Sequence, residues 1–379
     1  MQKRTRRTHV ERPGASGRTG QRHLAFVLGG LLVAGVAGAG LWWLMRSMSG
    51  GDVPAVDMPA VVAPEAAVST ASAAPSQGDE QGDEQGDENE AADQKPSETP
   101  LAIGLVNTCV TQPQFLRTLN LGDRPIIGTG ARTATGFVVV DPESGQIYQD
   151  PTWDDAGDLG PYVYDRRGNF YVGPSPRTDL ALNPVDKQNI LYRIDSQSAV
   201  MAPYLELPAG LPPSSSNPFG TMGLAYDCET ESLYVTSVAG STATEEVGRL
   251  YRIDLATGLV VDQLEGFDGF GVSVFNGVEG KALYLGSARR SEVYTVTLDG
   301  AGNFVGVPQL YINTTALAGG DSRKVRRIQF TPDNRMVWSA LDFDFTLRAA
   351  SVTQETVYRF VYVAEQAAWV LEKVEAIER

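Results

Sequence analysis

From Gly104 onward the chain is written in short runs of alternating apolar and polar positions. They are rich in Val, Tyr, Leu and Phe and broken by Gly, Asp, Asn and Pro. Alternation with period two marks a half-buried β-strand, and the interrupting residues are those that build tight turns. No window past residue 100 carries a long helical period. The pattern predicts an all-β domain over 104–379.

Two classes of strand pair alternate along it. The first joins an aromatic residue, then Asp, Asn or Thr, a short loop, and an apolar–aromatic–apolar run. Its members are "YVYDRRGNFYVG" (Tyr162–Gly173), "LAYDCETESLYVTS" (Leu224–Ser237), "SVFNGVEGKALYLGS" (Ser273–Ser287) and "IQFTPDNRMVWSA" (Ile328–Ala340). Their markers Tyr164, Tyr226, Phe275 and Phe330 recur at intervals of 62, 49 and 55 residues. The second class falls between them and includes "LYRID" twice, at Leu191–Asp195 and Leu250–Asp254. It also includes "GFVVVDPESGQIYQD" (Gly136–Asp150), Glu292–Gly306 and Thr356–Val374. Self-similarity near 50 residues with four strands per unit is the mark of a β-propeller. LYRID is then the third strand of two successive blades. Five second-class hairpins predict five blades, with six as the alternative count, and a two-sheet sandwich would not explain the alternation. The first blade fits worst, since its inner strands must come from Leu105–Ala131.

The strings "YDRRGNFYV" and "YDCETESLYV" resemble the inner hairpins of NHL-type and gluconolactonase-like propellers, and "YRIDLATGLVV" is similar to their outer hairpins. The resemblance covers about 104–379 and lies in the blade pattern. It implies a fold shared by many functions. The gluconolactonase-like members hold one divalent ion with acidic and amide side chains, but no motif here matches theirs residue by residue.

The first hundred residues differ in kind. Leu24–Met45 holds 22 residues without a charge, about 33 Å as a helix and long enough to span a bilayer. Residues 1–50 carry eight basic side chains and one acidic, and seven of the basic ones precede the span. This predicts a cytoplasmic tail (1–23), a single transmembrane helix (24–45) and an extracytoplasmic remainder. A cleaved signal peptide processed near Ala37–Ala39 is the alternative. Residues 46–103 contain an Ala/Pro/Val stretch and the repeat "QGDEQGDEQGDE", with no aromatic residue after Met48. Such a segment is expected to be a disordered, self-repelling spacer, at least about 40 Å end to end.

Charge and residue inventory narrow the function. The chain carries a formal net charge of −15, so its outer part repels phosphate backbones and nucleic acid is not an expected partner. The only histidines are His9 and His23, both ahead of the apolar span. The outer domain therefore has no Ser–His or Cys–His nucleophile and no His-ligated metal. Cys109 and Cys228 are the only thiols. A pair alone in an exported domain is expected to form one disulfide.

The loops joining blades and the middle loops within blades share one face in a propeller, and binding usually lives on such loops. Here Trp153, Phe219, Phe267 and Phe270, with Arg289 and Arg290, are the expected contacts for a protein or envelope polymer. The alternative is a Ca²⁺-dependent hydrolase of lactonase type. Its metal would be held by Asp154, Asp155, Asp158, Asn217, Asp268 and Asp321, with no other cofactor expected. The leading expectation is a membrane-anchored binding module without catalysis.

Overall fold

The structure, a computed structural model, describes residues 102–119, 125–129, 134–177, 180–347 and 354–378. The expected tail, membrane span and nearly all of the spacer lie outside these residues. Among the described residues no helix is long and apolar enough to cross a membrane.

The domain is a five-bladed β-propeller. Its strands follow the chain in order. A two-residue strand β1 (Gly104–Leu105) precedes blade 1, which is β2 (Ile126–Gly128), β3 (Val138–Val140) and β4 (Ile147–Tyr148). Blade 2 is β5 (Leu159–Tyr164), β6 (Phe170–Pro174), β7 (Ile190–Ile194) and β8 (Met201–Glu206). Blade 3 is β9 (Thr221–Asp227), β10 (Ser232–Ser237), β11 (Arg249–Asp254) and β12 (Leu259–Glu265). Blade 4 is β13 (Gly269–Gly277), β14 (Gly280–Ser287), β15 (Glu292–Leu298) and β16 (Phe304–Asn313). Blade 5 is β17 (Lys324–Phe330), β18 (Arg335–Leu341), β19 (Gln354–Val363) and β20 (Ala368–Glu378). Every blade is an antiparallel meander, with the first strand of blades 2 to 5 innermost.

The LYRID copies fall on β7 and β11, the third strands of blades 2 and 3. Why the string recurs is visible in its burial. Tyr192 and Ile194 pack toward blade 1 while Leu191 packs toward blade 3. One blade on, Tyr251 and Ile253 pack toward blade 2 and Leu250 toward blade 4. A middle strand is covered on both faces, so its run is nearly all apolar. The closing Asp is a turn cap: Asp195 accepts from the N–H groups of Gln197 and Ser198, and Asp254 from that of Ala256. Asp141 and Asp299 cap the matching turns of blades 1 and 4, the short-range hydrogen bonding that suits Asp to turns.

Blades pack through apolar cores, one at each seam from 1–2 to 4–5. Close approach of the inner strands depends on glycine. A Cβ on Gly271 of β13 would lie 2.5 Å from the Arg326 carbonyl of β17, and one on Gly223 of β9 would lie 2.9 Å from that of Phe270. Blade 1 departs from the four-strand expectation, with three strands among the described residues. Ahead of β2, a 3-10 turn at Gln114–Thr118 brings Phe115 and Leu116 into the seam against Trp153 and Phe170.

The segment before that turn is a strap over the hairpin-turn face. Asn276 donates to the Ala102 carbonyl, β1 pairs with the end of β13, and the Val106 carbonyl accepts from Cys228. Thr111 then bonds to Asp165 in blade 2, and Phe115 to Ser196. Cys109 and Cys228 form the expected disulfide, with Cα atoms 5.8 Å apart and a sequence separation of 119.

Candidate functional site

The face opposite the strap carries the longer loops. The middle loops of blades 2, 3 and 4 are each stitched to a segment that joins their blade to a neighbour. Ser175 donates to the Asp158 carbonyl, Asn217 to that of Val238, Gly266 to that of Gly248, and Thr314 to that of Ser291.

The mouth of the channel on this face is an aromatic plug. Phe343, from the loop after β18, packs its ring 5.2 Å from Phe219, 4.6 Å from Phe270 and 5.0 Å from Phe345. Three blades thus meet at one apolar cluster, completed by Val238, Ala288 and Leu341. Phe345 holds a φ of 60°, a left-handed conformation rare for a bulky residue. It is buried there, with the Arg289 guanidinium 5.1 Å above its ring.

Beside the plug stands a buried polar knot. Asp268 is fully buried and accepts from Ser241 Oγ at 2.5 Å, from the Gly248 N–H at 2.9 Å and from Arg289 Nε at 2.5 Å. Burial pushes its carboxyl above the ordinary value, opposed by the Ser241 hydroxyl and the Arg289 charge. Gly248 is required because a Cβ there would lie 2.3 Å from Asp268 Oδ1. Arg289 also donates to the carbonyls of Thr242, Ala243 and Glu245, so one guanidinium sets the shape of the blade 3 middle loop.

These placements correct two expectations. The loop aromatics do not project as anchors: Trp153, Phe219, Phe267 and Phe270 are all buried. Trp153 lies in the blade 1–2 seam and donates its indole N–H to the Ala199 carbonyl, while Phe267 packs edge-on to Tyr294. Nor are the six oxygen side chains brought together. Asp268 is spent in its knot, and Asn217 caps its own loop through Val238 and Phe219. Asp321 is held by Arg323 and the Thr356 hydroxyl. Asp154 and Asp155 are exposed, and Asp158 is half-buried. Among the described residues no group of three or more Asp, Glu, His or Cys side chains is arranged to hold a metal. Of the six expected partner contacts, Arg290 alone has a substantially exposed side chain, at 45%, flanked by Glu246 and Glu292. Sequence reasoning missed Phe343 and Phe345. The signal was the apolar–polar alternation "LDFDFTL" (Leu341–Leu347) inside a loop.

The class defined by these sheets is a five-bladed all-β propeller with a disulfide-locked strap. No known family profile matches the chain, and no curated protein matches it in sequence. Solved structures similar to it include a protein from Lactobacillus plantarum, at 11% identity and a TM-score of 0.40 over 65% of this chain and 80% of that one. Others are the Dos1 propeller, at 12% and 0.34 over 64% and 56%, and Kuenenia stuttgartiensis hydrazine synthase, at 11% and 0.33 over 55% and 46%. The chain thus spans about half the length of the last two.

Proposed function

We propose that this chain is a membrane-anchored, extracytoplasmic propeller that serves as a binding module for a protein or an envelope polymer, with its long-loop face presented to the partner. The observation that carries the reading is where the chain enters the domain. Ala102, Gly104 and Val106 lie on the hairpin-turn face, and the disulfide fixes the strap there. A tether through residues 46–103 joins the domain on that face, so the long-loop face carries no attachment. Tension on the tether meets the short β1–β13 pairing first and is stopped covalently at the Cys109–Cys228 bond. The uncharged stretch Leu24–Met45 and its basic flank supply the anchor.

Two measurements on cells making the full chain test this. Protease added outside should remove the propeller and spare the N-terminal tail; a protected propeller overturns the topology. A photo-reactive residue placed at Thr244, on the loop face, should give discrete adducts. The same group at Glu229, beside the strap, should give few. Adducts from Glu229 alone would overturn the assignment of the binding face.

A further inference from the structure

The inner strand of blade 5 carries a feature that the loop-face reading does not use. On β17, Val325 and Ile328 point into the blade 4–5 core. The alternate residues Arg327 and Gln329 point to the other face, where both are exposed. Ser339 of β18 stands directly opposite Arg327 in the ladder and is half-buried. Directly opposed residues hold their Cβ atoms about 5 Å apart. None of these three side chains makes a hydrogen bond or ion pair among the described residues.

An idle arginine is out of keeping with this domain. Residues 101–379 hold 33 acidic against 22 basic side chains, and most of the other arginines are taken. Arg166 pairs with Glu231, Arg249 with Glu265, Arg289 with Asp268 and Arg359 with Glu375. The neighbours do not neutralise Arg327 either. Arg326 faces Glu355 at 4.0 Å, and Arg359, Lys373 and Glu375 form their own group farther out on the same blade. Across the gap, Tyr162 of β5 lies on the blade 2 face that looks toward blade 1. It is close enough for the Arg327 charge to oppose the upward push of burial on its phenol. The Tyr162 hydroxyl is already donated to the Ile127 carbonyl, so it serves as a wall and not as a donor.

We propose that Arg327, Ser339 and Gln329 form a binding site for a small oxyanion group, a carboxylate or a phosphate, on the inner side of blade 5. A guanidinium fork takes two oxygens of such a group in one plane, and the flanking hydroxyl and amide supply further donors. The net negative charge of the domain disfavours a polyanion and favours a compact group that reaches the guanidinium. The site does not depend on the loop-face reading.

The test uses the full-length chain in detergent micelles and calorimetric titration with succinate and, separately, inorganic phosphate, at constant ionic strength set with chloride. At least one anion should bind saturably, and the tighter one identifies the source chemistry. Arg327→Met should weaken that binding tenfold or more, Arg327→Lys by less, and Arg167→Met on the hairpin-turn face should leave it unchanged. Absence of saturable binding to the wild-type chain overturns the proposal. So does equal affinity in the Arg327→Met variant, or equal loss in the Arg167→Met control.

Discussion

Blade 5 has two faces built from the same four strands, and they are made of different chemistry. The face toward blade 4 is an apolar core of Ile328, Met336, Trp338, Tyr358, Phe360 and Trp369, closed from the other side by Phe275 and Tyr284. The opposite face carries Arg327, Gln329, Ser339, Arg359, Lys373 and Glu375, with Val337 and the buried Val357 between them. The strands cannot register the difference in their backbone, since alternate residues of one ladder serve both faces. The difference lies in what each face meets. At the seams from 1–2 to 4–5 an apolar face meets an apolar face, and burial supplies the stability. These positions on the far face of blade 5 belong to no apolar core cluster among the described residues, and only Val357 of them is buried, so most hold polar groups that do something other than pack.

The largest expected effect lies on the apolar side. Phe275 is fully buried with rings of Phe330, Tyr362 and Trp369 around it. Phe275→Ala should cost about 3–5 kcal/mol, the range for removing a large core aromatic, read as a fall in the urea midpoint with an unchanged slope. The strap comes next. Replacing Cys109 and Cys228 by Ala opens a loop closed at a sequence separation of 119, worth about 4–5 kcal/mol in the chain-entropy account and commonly less when measured. An oxidised chain whose midpoint does not move on reduction would show that the strap contributes little.

The polar knot ranks third. Asp268→Asn keeps the shape of the side chain but strips the charge that Arg289 meets at 2.5 Å. Arg289 would keep its carbonyl contacts and lose its counter-charge in a site only 13% exposed, so a loss of about 2–3 kcal/mol is expected, below the full range for a broken buried pair. Replacing Arg289 as well should recover part of it, because no charge is then stranded.

The repeat was legible because both of its causes are local. LYRID states a two-sided strand and its turn cap in five residues, and the disulfide followed from there being two cysteines. The knot was not legible. Asp268 looks like any loop acid until Ser241 and Arg289, 27 and 21 residues away, are seen to close on it. The loop aromatics misled for the same reason: a phenylalanine in a loop reads alike whether the loop lies outward or folds over the channel mouth. In the basic cluster at 323–327, only the strand register separates Arg323, tied to Asp321, from the idle Arg327.

The turn caps give a pH-dependent effect. The Asp141 carboxyl is held below its ordinary value by the Ser144 hydroxyl, Asp195 by the Ser198 N–H and Asp299 by the Asn303 amide. A carboxyl lowered in the folded state contributes stability that is complete above its unfolded value, about 3.9. That contribution is lost as pH falls through the lowered folded value. The chain should therefore lose stability as pH drops below about 4, and the triple variant with Asn at the three positions should lose less over the same interval. Equal slopes in urea midpoint against pH would exclude the caps as the cause.

The smallest expected effect tests the contrast between the two faces most directly. Arg327→Met removes a charge and adds apolar surface on the inner strand of the same blade whose other side carries Phe275's contacts. If the far face were an unfinished core, methionine would bury itself against Tyr162 and raise the urea midpoint. If the face is kept polar for a ligand, the change should fall within about 0.5 kcal/mol, as for surface positions away from structural features. Among the described residues the guanidinium makes no bond whose loss would register. A near-zero stability change together with lost anion binding would separate this face from the seams: those hold the blades, and this one holds a solute. A stabilisation of a kilocalorie or more would instead make Arg327 a gap in the packing and return blade 5 to the rule of its neighbours.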